Sequence, residues 1–246
     1  MGAGCGGWPG PARLVRFGPA LVGRVQRGEE LGSIAGGASL TLVGGAGLYG
    51  AVFGGWRAPE QALIVATKLP LVLLAVVAVA SLAGAFLASS LRTGLDLART
   101  ATLLLVGLAT TSALLGALAP VAALFVLHAP PPDPVALGLA HGDPAARATV
   151  GVHHGLLLGH IAVIAVCGVV GVSRLRGTLR AVVDAPSQAR AVWWAWALLC
   201  GFVGAEISWL ARPFQGSPVL PPGWFRSEPL DGNFFESVWR MLQAVF

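Results

Sequence analysis

Apolar residues in this chain neither alternate with polar ones nor form a one-sided helical stripe. They come in five long runs separated by short polar or proline-rich segments. The runs cover 32–56, 69–89, 100–127, 149–172 and 191–211. Each is near the ~20 residues that a helix needs to cross hydrocarbon. None alternates as a barrel strand does. The pattern predicts an all-α membrane protein, a bundle of five transmembrane helices over 32–212. The second run opens at Lys68 and has Pro70 in its first turn, where proline is tolerated. The third carries Pro120 near its end, which predicts a kink or an early stop.

The flanks read differently. Residues 1–31 form an arm, Gly-rich over 1–10, with Arg13, Arg16, Arg24 and Arg27 set among Leu14, Val15, Phe17, Leu21, Val22 and Val25. This is a basic amphipathic segment, either a short helix on the membrane surface or a solvated arm supplying orientation charges. Residues 213–246 form a tail. Its first part is a Pro/Gly connector containing Trp224 and Phe225. In its second part Asn233 is placed to cap a helix, with Glu236 three residues on as in a capping box. Phe234, Phe235, Val238, Trp239, Leu242, Val245 and Phe246 then recur at helical spacing. The segment is too short to span, so it predicts an amphipathic helix lying on the outer interface or docked on a partner. Trp224, Phe225, Phe234, Phe235 and Trp239 form the candidate interaction surface.

Composition excludes a soluble fold. The chain is 55% hydrophobic and 11% charged, with mean hydropathy +0.75, against about 25% charge in ordinary globular chains. A net charge of +5 raises nucleic acid as a partner, but the arginines are scattered through loops rather than gathered on one face. The charge instead reports topology. With the N-terminus in the cytoplasm, the inner segments hold Arg13, Arg16, Arg24, Arg27, Arg92, Arg99, Arg174, Arg176, Arg180 and Arg190, ten of the 16 basic residues. Arg57, Lys68, Arg147, Arg212, Arg226 and Arg240 fall outside. The C-terminus is therefore predicted outside. Cys5, Cys167 and Cys200 form no CxxC, so neither a disulfide framework nor a zinc site is expected. No cleavable signal peptide is expected either: no apolar region precedes Cys5.

Polar residues inside the runs are the candidates for chemistry. Glu206 lies six residues before Arg212, about 9 Å below the outer end of the fifth span. Lys68, His153 and His160 come at similar depth. One reading is a proton- or ion-handling cluster of Lys68, His153, His160, Glu206 and Arg212. The other is a buried ion pair of Glu206 with Lys68 or Arg212 that fixes span register, and Lys68 is the expected partner because Arg212 can snorkel to water. His153 and His160 are too far apart for an i,i+4 metal pair, and Ser208 has neither a G-x-S-x-G setting nor a placed base. No catalytic, metal or cofactor site is expected. Glycine ladders at Gly32/Gly36, Gly50/Gly54 and Gly151/Gly155/Gly159 allow close helix approach, within the bundle or towards a partner. Trp193, Trp194 and Trp196 read as an interfacial belt.

Several islands resemble a family of bacterial multi-spanning membrane proteins, mostly uncharacterised, with Yip-like hydropathy. They are Tyr49-Gly50 with Gly54, Lys68 with Pro70-Leu71, Ala119-Pro120 with Phe125, Phe202-Val203-Gly204 through Trp209, Arg212-Pro213-Phe214, Gly216-Ser217-Pro218 and Gly232-Asn233-Phe234. The resemblance implies five spans in a bacterial cytoplasmic membrane and transfers no activity. The chain departs from it at Glu206, where the family pattern has a neutral amide. Together these readings predict a non-enzymatic membrane scaffold or assembly subunit, in contact with the bilayer and with a membrane protein partner or a second copy of itself. The alternative is a small-solute or proton-coupled carrier using the polar cluster, against which the lack of visible repeated halves counts.

Overall fold

The computed structural model describes residues 19–132, 144–211, 223–224 and 232–245. Seven helices lie among them: α1 Pro19–Arg27, α2 Leu31–Gly54, α3 Pro59–Ser90, α4 Leu97–His128, α5 Pro144–Val182, α6 Pro186–Ala211 and α7 Phe234–Val245. There is no strand among the described residues. Helices α2, α3, α4 and α6, and α5 over Thr149–Val182, are long and apolar enough to cross a membrane. The links 55–58, 91–96 and 183–185 are short, so the helices they join run antiparallel. Helix α4 is the hub and packs on α2, α3 and α5, while α6 closes against α3 and α5. Side chains facing outward are as apolar as those facing inward: Leu40, Leu63, Leu82, Phe86, Leu127 and Leu198 are all largely exposed. A helix apolar all round belongs in a core or in lipid.

Most of the spans extend further than their apolar runs. Helix α3 begins ten residues before the expected start, with Pro59 in its first turn and Glu60 beside it, both favoured at a helix N-terminus. Pro70 is therefore inside the helix rather than in its first turn. Helix α4 likewise continues through Pro120 to His128 instead of stopping early. A proline deprives the carbonyl four residues earlier of its helical partner, here Ala66 and Gly116. Both sites are packed by α2. A Cβ at Gly47 would stand 3.3 Å from the Ala66 oxygen, and one on Gly116 would stand 2.9 Å from the Gly45 Cα. Helix α5 runs ten residues past its apolar run, because Leu175, Thr178 and Leu179 stay buried beneath it.

The arm and the turns close one end of the bundle. Of the two readings of the arm, its described part is a helix, and it docks on the bundle: Leu21 and Val25 join the core, and Gln26 donates to the Ala181 carbonyl at 2.6 Å. Gly28, at φ 70°, ends α1. Its amide reaches Val25 O and that of Glu29 reaches Arg24 O, the paired bonds of a Schellman cap. Arg92 takes the same left-handed position after α3, at φ 52°, where glycine is the usual occupant. Asp96 caps α4 by accepting from the Arg99 amide at 2.8 Å.

Candidate functional site

The half of the bundle away from α1 holds two separate polar arrangements rather than one cluster. The first is built on Lys68. Because α3 starts early, Lys68 is not at a threshold but more than two turns inside the helix and 8% exposed. Its Nζ donates to the Ala211 carbonyl at 3.2 Å and to the Trp224 carbonyl, and it lies 5.9 Å from the centre of the Trp224 ring. Ala211 is the last residue of α6, and terminal carbonyls of a helix have no partner within it. A cation there also meets the negative end of the helix dipole. Hydrogen bonds to a charged group are worth roughly 1.5–3 kcal/mol each, so Lys68 is a substantial tie between α3, the end of α6 and the tail.

The expected Lys68–Glu206 pair is thus not made. Glu206 lies five residues before Ala211, about 7.5 Å lower and roughly 140° round the axis, so a cation bound at the helix end is out of its reach. Glu206 is partly exposed, and among the described residues no cation stands within ion-pair distance of it. Arg212 and Phe225 lie outside the described residues.

The second arrangement joins α2 to α5 through rings. His160 is 1% exposed and stacks on Phe53 at 4.0 Å and on Tyr49 at 5.3 Å between centroids. Its Nδ1 is 3.3 Å from the Tyr49 hydroxyl. Two turns outward His153 tilts over Trp56 at 5.8 Å, and Trp56 donates its indole N–H to Pro130 O at 3.1 Å. The backbones of α2 and α5 do not pack closely, so these rings fill the gap. Tyr49, Phe53 and Trp56 stand at i, i+4, i+7 and His153 and His160 at i, i+7. Two antiparallel helices with those spacings mesh ring against ring. That match is present in the sequence, but a reading of the histidines as proton carriers or metal ligands does not look for stacked rings. Among the described residues no three metal-ligating side chains gather.

Helix α7 covers the outside of α5 and α6. Asn233 Oδ1 accepts from the Glu236 amide at 2.8 Å, as the capping pattern predicts. The Glu236 carboxylate does not return to the cap but takes Arg240, one turn on. Trp209 donates to Gly232 O at 3.0 Å, and Phe202 stacks on Phe235 at 6.4 Å. The apolar arc of α7 is divided. Met241 is buried and Phe234 and Val238 are half-buried, while Phe235, Trp239 and Leu242 face outward. Glu236, Arg240 and Gln243 fill the opposite side. The helix therefore has one face packed on protein, one apolar face turned outward and one polar face, the division that an interfacial helix needs. Of the candidate interaction residues, Trp224, Phe235 and Trp239 are exposed and Phe234 is half-buried.

Helices α4 and α5 form an apolar groove of about 680 Å³ lined by Val121, Leu124, Phe125, His128, Val152 and Leu156. Comparisons with family models, curated proteins and solved structures find no match to the chain.

Proposed function

We propose that this chain is a non-enzymatic integral membrane scaffold or assembly subunit of a bacterial membrane complex. In this reading it lies in the cytoplasmic membrane with the N-terminus inside and the C-terminus outside. The observation that carries it is the use made of Lys68. The most buried cation among the described residues is spent on backbone carbonyls of α6 and the tail, holding the outer surface in shape, and the rings of Trp224, Phe235 and Trp239 are exposed. The island resemblance agrees with five spans in a bacterial membrane, and the ten-to-six distribution of basic residues supports the orientation. Extraction from native membranes into a mild amphipathic polymer, followed by size analysis and mass spectrometry, tests it. The expected result is a stoichiometric complex that a Trp239→Asp, Phe235→Asp variant fails to hold while its own fold survives. A monomer under all conditions overturns it.

A second reading, a proton-coupled carrier, draws on one observation: His160 and Tyr49 form a buried titratable pair in mid-span. His160→Phe separates the two. A scaffold keeps the stack on Phe53 and keeps its partners, whereas a carrier loses proton-coupled uptake in vesicles.

A further inference from the structure

We propose that the inner end of the α5–α6 hairpin is a binding site for the phosphate headgroup of an anionic membrane lipid, with Arg176, Arg180 and Arg190 as its cations and Trp193 and Trp194 as its floor. The proposal rests on the membrane reading above and on neither functional alternative. Trp193 Nε1 donates to the Val172 carbonyl at 2.8 Å, which fixes the indole between the two helices. The Arg176 guanidinium lies over that ring, 5.4 Å from its centre. A guanidinium stacked by its face keeps its N–H edge for a planar acceptor, and phosphate suits that fork. Arg180 is one turn further along α5, and Arg190 is one turn before Trp193 on α6. All three arginines are exposed.

The charge balance singles out this hairpin. The other described acids near the inner end are taken: Glu30 by Arg24 at 2.8 Å, Glu29 by Arg27 at 2.9 Å and Asp96 by Arg99 at 3.5 Å. The hairpin has only Asp184 against Arg174, Arg176, Arg180 and Arg190, and none of these four has an ion-pair partner among the described residues. The aromatic floor sets the depth. Trp194 packs edge-on to Trp193 at 4.6 Å and is 55% exposed, and Leu198, one turn deeper, is 69% exposed. Indoles settle at the headgroup level with hydrocarbon below. A phosphate held by Arg176 and Arg180 would thus have its acyl chains beside Trp194 and Leu198. The depth and the continuous apolar track favour a lipid over a soluble phosphate, and cytoplasmic leaflets supply anionic lipids to such basic segments.

The test uses the full chain in nanodiscs of phosphatidylcholine doped with phosphatidylglycerol, reading retained lipid by native mass spectrometry. Wild type should retain phosphatidylglycerol preferentially. Arg176→Gln with Arg180→Gln should weaken that preference roughly 20-fold, from about five-fold per basic residue near a membrane surface. Arg174→Gln, about 140° round α5 from the Arg176–Arg180 side, should change it little. Trp193→Phe, which removes the indole N–H anchor, should weaken it too. Full preference in the double variant overturns the proposal, as does equal loss in Arg174→Gln. Competition by millimolar inorganic phosphate would make the site one for a soluble anion and overturns it as well. If alkaline carbonate strips the protein from membranes, the membrane reading itself fails, which is a distinct result from an integral protein with no lipid preference.

Discussion

Helix α2 and the N-terminal stretch of α5 carry the same sequence motif, glycines four residues apart, and put it to opposite use. On α2, Gly50 and Gly54 meet α3 so closely that an added Cβ would stand 2.7 Å from Val65 O and 2.6 Å from Gln61 O. Gly45 goes further, with Ser112 O only 2.2 Å from such an atom. On α5, Gly151, Gly155 and Gly159 meet nothing within 4 Å. Lipid tails are as apolar as leucine, so helices in a membrane gain little from hydrophobicity and associate through close backbone approach. A glycine ladder therefore marks a surface capable of that approach. Which partner uses it is decided by the other helices, and on α5 no described helix does.

The contrast breaks most sharply at Gly45. Gly45→Ala places a methyl group on a backbone carbonyl that cannot swing aside, so α2 and α4 must separate along the seam where Gly116, whose carbonyl Pro120 leaves without its helical partner, also lies. The expected cost is about 3 kcal/mol or more, read as loss of the folded, monodisperse protein in detergent or as a steep fall in thermal midpoint. Gly171→Ala, facing Thr111 Oγ1 at 2.2 Å and Gly107 O at 2.7 Å, should behave alike at the α4–α5 seam. Wild-type stability for either would mean that these helices are not packed this tightly.

Gly84 grades the effect. There the added atom would meet Trp196 Nε1 at 2.7 Å, a side chain rather than backbone. Gly84→Ala should cost about 1–2 kcal/mol, since the indole can shift but gives up its core position at 1% exposure. A loss as large as that at Gly45 would show that Trp196 is as immobile as main chain. Ser112→Ala is smaller again. It deletes the hydroxyl bond to Leu42 O at 2.5 Å across the α2–α4 seam and leaves the backbone approach intact, so about 1 kcal/mol is expected from chemical denaturation.

What could be read beforehand follows the same division. The number of spans, the antiparallel order and the capped tail helix come from local signals, runs of apolar residues and Asn233 before Glu236, and these survive folding because they need no partner. The ends of α3 and α5 were misplaced because Lys68 and the arginines after Val172 look like span termini, yet a helix crosses the headgroup layer without ending. The partners of Lys68 are not legible beforehand, because the carbonyls at the end of α6 carry no mark in the sequence, whereas Glu206 does. Gly45, Gly107 and Gly171 were passed over as single glycines, although their contacts are tighter than most in the ladders. Tertiary approach between distant helices has no local period to announce it.

The smallest expected effect has the opposite sign and tests the α5 half of the comparison. In open surroundings a helical glycine is a liability, costing roughly 0.5–1 kcal/mol relative to alanine through backbone entropy. Gly155→Ala with Gly159→Ala should therefore raise the thermal midpoint of the isolated protein slightly. The same pair should reduce self-association or partner retention in native membranes if the ladder is an assembly surface, since two methyl groups would hold the incoming helix away. The two readouts separate cleanly. A gain in stability with assembly unchanged leaves the ladder to lipid alone. A gain in stability with assembly lost assigns it to a partner. A loss of stability in the monomer contradicts the open face, because alanine can destabilise there only by meeting a neighbour.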